Sequence, residues 1–294
     1  MIGFTSIKRI LLATATLGFA AHAAASTLTL DVYNPGDKAI FPVTSVLVSG
    51  EKDAILVDAQ FGKSQAEQVV ERIRASGKQL TTIYISHGDP DYYFGLDTLT
   101  AAFPHAKVLA SQATVDHIKK TVDGKLAFWG PKMGADVPAR TIVPGVLEGD
   151  SLILEGQKLQ VVGLEGKQPD RTFVWIPSIK AVVGGVMVAE NIHVWMADTQ
   201  TAQSHTDWLA TLHSIETLKP NTLVPGHYLG KSARSLAAVQ FTADYIKAFD
   251  EETAKAKDAA ALIAAVKKRF PTLGEESSLE LSAKVAKGEM KWGE

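Results

Sequence analysis

Short β-type runs alternate with amphipathic helical stretches along this chain, and no low-complexity linker interrupts them. The order is ββαβαβα, then ββββ, then αβα. It confines the chain to a mixed architecture whose sheets bury apolar faces beneath helices. Thr27 to Val32 alternates and stops at Asn34-Pro35-Gly36. Val43 to Val48 and Ala54 to Val57 flank a hairpin turn at residues 49–53. Ser64 to Ser76 puts Ala66, Val69, Val70 and Ile73 on one helical face, with Gly77 as the stop. Thr81 to Ile85 is a strand, Asp91 to Ala102 a helix, Lys107 to Ala110 a strand and Val115 to Val122 a helix. Gly124 to Arg140 has no period and reads as a long loop over a pocket. Strands follow at Thr141 to Leu147, Ser151 to Leu154, Leu159 to Leu164, Arg171 to Ile176 and Ala181 to Val188. Ser204-His205-Thr206-Asp207 resembles a capping box opening a helix striped by Trp208, Leu212 and Ile215. Two helices, Leu236 to Phe249 and Ala259 to Phe270, close the chain, and the tail beyond Pro271 reads as polar and peripheral.

A chain of 294 residues that is 46% hydrophobic with a net charge of −2 is not disordered. Its 30 Lys and Arg nearly cancel 32 Asp and Glu, which argues against a nucleic-acid partner. Residues 1–25 read as a secretory signal peptide. Lys8 and Arg9 precede the apolar run Ile10 to Ala20, and Ala-x-Ala sites follow at Ala21-His22-Ala23 and Ala23-Ala24-Ala25. The expected organisation is therefore a signal at 1–25 and one domain at 26–294, periplasmic or secreted, with no membrane association after signal removal. Cysteine is absent, so a thiol nucleophile and thiolate metal ligands are excluded, and any metal must rest on His and carboxylates.

Two apolar runs end in loops that carry histidine. The first is Ile85-Ser86-His87-Gly88-Asp89-Pro90-Asp91-Tyr92, where side chains at i, i+2 and i+4 can converge at a helix N-terminus. Two carboxylates beside an imidazole need a cation or a proton to coexist. The alternatives are an Asp helix cap with a satisfied core His, or a proton-sharing Asp89–Asp91 pair. The second loop is Leu223-Val224-Pro225-Gly226-His227, which by itself is equally a turn with an exposed His. Neither a Walker phosphate loop nor a Gly-x-Ser-x-Gly elbow is present. His105, His117, His205 and His213 read as surface or packing residues. Trp129 and Trp195 either line a pocket or lie in the core.

Read together, these pieces resemble the metallo-β-lactamase superfamily along nearly the whole mature chain: the Val57-Asp58 strand end, the His87 loop, the Gly-Gly strand near 185 and Pro-Gly-His227. The resemblance implies an α+β fold, a four-layer αββα sandwich. It also implies a motif Ser/Thr-His-x-His-x-Asp-His, a middle His, a Gly-Asp strand end and a final Gly-His, which together hold two zinc ions that activate a hydroxide. Here His87 falls on the first His, Asp89 on the second, Asp91 on the Asp, Tyr92 on the next His and His227 on the last. Glu165 or Lys167 takes the middle position, and Gly184-Gly185-Val186 lacks the bridging Asp. Ile192 to Asp198, with His193, resembles a subgroup of uncharacterised exported hydrolases.

The surviving ligand set is His87, Asp89, Asp91 and His227, enough for at most one divalent ion: zinc, or else manganese or iron. Asp89 and Asp91 are the candidate catalytic carboxylates, and Asp58 holds the His87 loop from behind. Lys167 has two readings. Pointing inward, it neutralises the aspartates and the site is metal-free. Pointing outward, it leaves Glu165 to complete a mononuclear centre. The implied function is hydrolysis of a small ester, lactone, amide or similar molecule. The alternative is a non-catalytic descendant that binds a small ligand or a protein partner in the old cleft.

Overall fold

The central strands bury both of their faces, and this decides the architecture. In the computed structural model, which describes residues 27–292, all five residues of Ser45–Ser49 are buried. A strand covered on both sides must lie inside a layered stack. The first sheet runs β1 (Thr29–Tyr33), β2 (Ser45–Ser49), β3 (Asp53–Val57), β4 (Gln79–Ile85), β5 (Lys107–Ala110) and β6 (Gly145–Val146) in that spatial order. β1, β2 and β3 pair antiparallel, whereas β3 through β6 are parallel. Helices α1 (Lys63–Ser76), α2 (Pro90–Tyr93), α3 (Leu96–Ala102) and α4 (Gln112–Met133) fall between its strands.

The second sheet takes β7 (Ser151–Leu154), β8 (Gln157–Val162), β9 (Phe173–Ile176) and β10 (Ala181–Val183). β11 (Ala189–Glu190) follows but leaves this sheet to pair with β13 (His227–Tyr228). β12 (Thr222–Leu223) closes the order β12-β10-β9-β8-β7. Around these lie α5 (Ala202–Leu218), α6 (Ala237–Lys255), α7 (Ala259–Arg269) and α8 (Glu276–Ala286).

Side-chain alternation sorts the core into three layers. Val46, Val48, Ile55, Val57 and Tyr84 meet Leu159, Val161, Val174 and Ile176 between the sheets. Leu47, Leu56, Ile83 and Ile85 point the other way, onto Val69, Ile73, Leu99 and Ile118 of the helices. Phe173 and Val182 face Trp208, Ile246, Leu262 and Leu279. The fold is thus mixed α and β, with helices outside two packed sheets. Glu155, in the β7–β8 turn, accepts from the backbone N–H groups of Glu51, Lys52 and Asp53 at 2.8, 2.6 and 2.8 Å, and so clasps the turns of the two sheets together.

Several expectations are corrected. The segment 124–140 is not a loop for most of its length. α4 runs from its Ser111 cap, whose hydroxyl accepts from Thr114 N–H, through to Met133. It buries Val115, Ile118, Lys125, Trp129 and Met133, and Gly124 sits on its exposed side. The strand expected over 141–147 shrinks to β6, and that over 181–188 stops at Val183, because Gly184 and Gly185 turn the chain at φ +73° and +88°. The helix over 91–102 breaks at Gly95, where a Cβ would stand 1.9 Å from Ala59 O. Thr201, with Ser204, forms the capping box of α5. The tail beyond Pro271 is not peripheral, for α8 buries Leu279 and Ala283 completely. The signal expected at 1–25 lies outside the described residues.

Candidate active site

The site collects where strands of both sheets end. β3 ends at Val57, and the next residue, Asp58, takes φ +66° and turns its carboxylate under the β4 terminus. Asp58 Oδ1 accepts from Ser86 N–H at 2.8 Å, and the Ser86 hydroxyl donates to the same carboxylate at 2.8 Å. Ser86 Oγ in turn accepts from Gly185 N–H at 2.8 Å, tying the loop to the second sheet. Burial pushes the Asp58 carboxyl up to about 7, against the pull of the Ser86 donors. Asp58 therefore holds the His87 loop without reaching the cavity.

His87 leaves that strand end buried, between two acceptors. Its Nδ1 lies 3.0 Å from Asp170 O and its Nε2 3.0 Å from Asp89 Oδ2. A ring with an acceptor at each nitrogen needs a proton on both, so it is an imidazolium. Burial opposes that charge, and the adjacent Asp89 carboxylate outweighs burial and raises the pKa. Asp89 Oδ1 receives the Lys125 ammonium at 3.0 Å. Burial works to raise the Asp89 pKa, but Lys125 and His87 hold it well below the ordinary carboxylate value. Lys125 also lies 3.8 Å from Asp198 Oδ1. Burial and repulsion from Asp89 raise the Asp198 pKa. The indole N–H groups of Trp195 and Trp292 both donate to Asp198.

A second pair stands alongside. His227 Nε2 donates to Asp91 Oδ2 at 2.7 Å, and its Nδ1 pairs with the Tyr92 hydroxyl at 3.1 Å. Burial, with the Asp91 charge added, holds the Tyr92 phenol well above its usual pKa. The close turn at Gly226 brings His227 in. A Cβ there would meet Gly185 O at 2.1 Å and the Tyr92 hydroxyl at 2.9 Å. His193 is buried with Nδ1 3.1 Å from Tyr245 Oη, and its ring lines the same cavity.

The structure thus brings His87, Asp89, Asp91, Tyr92, His227 and His193 to one place, with Asp58 behind them. Glu165 and Lys167 are not there. Both are exposed and neither lines the cavity. Gly163, at φ +105°, starts a turn closed by Gly166 N–H on Gly163 O, which swings 165–167 to solvent and brings Asp170 to His87 instead. The ammonium comes from Lys125, inside the stretch expected to be a loop. His117 is also no mere surface residue. Its Nε2 is buried without a partner among the described residues, 4.0 Å from Asp89 Oδ1. Trp129 and Trp195 both line the cavity, as do Asp198, the acidic end of the 192–198 stretch, and Glu275 and Trp292, which the sequence pattern does not single out.

This donor set does not fit a divalent ion. A ligand must turn a free lone pair to the metal. Both nitrogens of His87 and both of His227 are committed elsewhere, and the Lys125 ammonium already compensates Asp89. Among the described residues no group of three His, Asp or Glu side chains is arranged to hold a metal. The expected ligands are present as two His–Asp pairs rather than as one open coordination sphere.

Comparison with known proteins bears on the ancestry of this arrangement. The family model for the Metallo-beta-lactamase superfamily matches residues 40–227. The chain is 26% identical over 190 residues to Metallo-beta-lactamase type 2 of Bacteroides fragilis, covering 63% of this chain and 69% of that protein. It is 38% identical over 74 residues to the uncharacterized protein YobT of Bacillus subtilis, a match that covers 25% of this chain and spans 31% of YobT. Two solved structures share the fold. A metallo-beta-lactamase family protein of Thermus thermophilus has a TM-score of 0.61 at 17% identity, covering 89% of this chain and 94% of that one. A metallo-beta-lactamase from Pontibacter korlensis has a TM-score of 0.57 at 17% identity, covering 76% and 96%. With more than half of the chain matched by the family and the αββα layering accounted for residue by residue, the chain belongs to the metallo-β-lactamase superfamily.

Proposed function

We propose that this protein is a metal-independent hydrolase of a small ester, lactone or amide. In it the Lys125 ammonium does the electrostatic work that a divalent ion does in related proteins. The observation that carries the reading is the 3.0 Å contact of Lys125 Nζ with Asp89 in a cavity shared with the Asp91–His227 pair. Asp91 is held by His227 at Oδ2, and its Oδ1 has no partner among the described residues. That oxygen is the base that takes a proton from water as the water attacks the substrate carbonyl, and it returns that proton to the leaving alkoxide or amine as the acyl C–O or C–N bond breaks. Lys125, which lines the same cavity, receives the negative charge that develops on the carbonyl oxygen. Export to the periplasm or beyond belongs to this reading and is supported by the residue order of 1–25. No helix among the described residues is long and apolar enough to cross a membrane.

The test is elemental analysis of protein made with zinc, manganese and iron supplements and purified without chelator, alongside a panel of small esters, lactones and amides. The expected result is below about 0.2 ion per chain, with turnover that survives EDTA and falls in Asp91→Asn. Stoichiometric metal would return the site to a mononuclear centre on His87, Asp89, Asp91 and His227.

A second reading, ligand binding without turnover, is favoured by one observation. No nitrogen of His87 or His227 is free to shuttle a proton beside Asp91. Binding with an inert panel supports that reading.

A further inference from the structure

In this conformation the aromatic walls leave little free space in the inner part of the cavity. Its inner volume is about 50 Å³, room for a few waters. A groove of about 520 Å³ lies outside it, and the two share Lys125 and Trp292 in their linings. Lys125 is held by its ion pairs, whereas Trp292, though anchored by Gln200 Nε2–H on its carbonyl oxygen, is held at its side chain only by contacts that a ligand can reproduce.

The Trp292 side chain is bound the way a ligand is bound. Its Nε1–H donates to Asp198 Oδ1 at 2.7 Å. Its ring lies over the Lys125 ammonium, 4.9 Å from centroid to Nζ. The rings of Phe128 and Trp195 pack against it, with centroids at 5.0 and 5.4 Å. Each contact names a requirement for whatever replaces it. Asp198 would be left a buried carboxylate short of a donor, Lys125 would lose its π-face, and the aromatic walls would lose their filler.

We propose that the cavity binds a planar aromatic molecule bearing an N–H donor, and that Trp292 is its intramolecular competitor, leaving when the ligand's N–H takes over Asp198. The inference rests on the small-molecule reading of the cavity and supplies the chemical class of that ligand. The charge pairs then orient whatever group the aromatic ring carries toward Asp91.

Calorimetric titration of the full protein with indole and with 1-methylindole, which lacks the donor, tests it. Trp292→Ala is expected to bind indole at least about tenfold more tightly than the native chain, since the competitor is gone. In that variant 1-methylindole should bind about tenfold or more below indole, and adding Asp198→Leu, which leaves no side-chain acceptor, should erase the difference between the two probes. Trp292→Phe, which keeps most of the apolar filling but no donor, guards against a misfolded alanine variant and should show a smaller gain in the same direction. Equal binding of indole to native and both variant proteins, or equal binding of the two probes to Trp292→Ala, overturns the proposal. No arm reads turnover. An inert ester panel with donor-dependent indole binding would sink the hydrolase alone, and an active panel without it would sink this inference alone.

Discussion

Replacing Lys125 with methionine keeps most of the side-chain volume and removes the charge. In the native protein the Lys125 side chain is 10% exposed, Asp89 14% and Asp198 17%, so both carboxylates face a nearly dry ammonium at 3.0 and 3.8 Å. Taking the ammonium away leaves Asp89 with His87 alone and Asp198 with two neutral indole donors, a loss whose upper bound is that of a broken buried pair, about 3–5 kcal/mol. In a chain of this size that bound lowers the unfolding midpoint by something on the order of 10 °C at pH 7. The pH dependence carries a sign. Asp89 has its folded pKa depressed, so its contribution is fully present above the unfolded value and is lost only as pH falls below about 4. Without Lys125 the Asp89 carboxyl rises and can be neutralised by protonation. The deficit of Lys125→Met should therefore be widest at neutral pH and narrow toward pH 4. Thermal unfolding followed by circular dichroism across pH 4–8 measures this, with Lys125→Met/Asp89→Asn recovering part of the loss through a coupling of about 1–3 kcal/mol. A variant as stable as the native protein at pH 7, or a deficit that grows on acidification, would refute the reasoning.

Three more outcomes follow from the same contacts. Asp58 has its folded pKa raised to about 7, so native stability should fall as pH rises from about 4 to 7. Asp58→Asn, whose side chain tolerates the positive φ, should flatten that decline in urea midpoints. Gly226→Ala drives a methyl into Gly185 O and the Tyr92 hydroxyl, and should cost about 3 kcal/mol, read as a shift in the denaturation midpoint. Glu155→Ala should cost about 1–2 kcal/mol by releasing three backbone donors, yet leave calorimetric ligand binding unchanged, because Glu155 stands away from the cavity.

The acidic corner is legible in the sequence because strand period and loop chemistry coincide there. A run of strand residues ends at His87, and Asp89 and Asp91 follow within one turn, so their convergence needs only local geometry. His227 is legible through the family resemblance rather than through its own turn. Lys125 is hidden for a physical reason. Gly124 and the late Pro131 erase the helical period around it, although α4 continues through both, with Gly124 on its exposed side and Pro131 in its last turn. The sequence offers Lys167 in its place, and a turn at Gly163 throws that lysine outward. α8 is hard to see because its buried face mixes Ser278 and Ser282 with Leu279 and Ala283, small residues that give little hydrophobic contrast. Leu279 and Ala283 four apart, with Val285 beside them, are the apolar signal available. Asp198 and Trp292 are joined only by the folded chain, across 94 positions.

The bond between His227 and Asp91 spans 136 positions, and the Tyr92 contact spans 135. Closing so long a segment is entropically costly until the intervening layers have collapsed. The pairing of these groups is therefore expected late in refolding. Helix and sheet signals should return well before the pocket does, and a chain caught between those two moments would carry its ionic groups still solvated, each without the partner that later makes its burial tolerable.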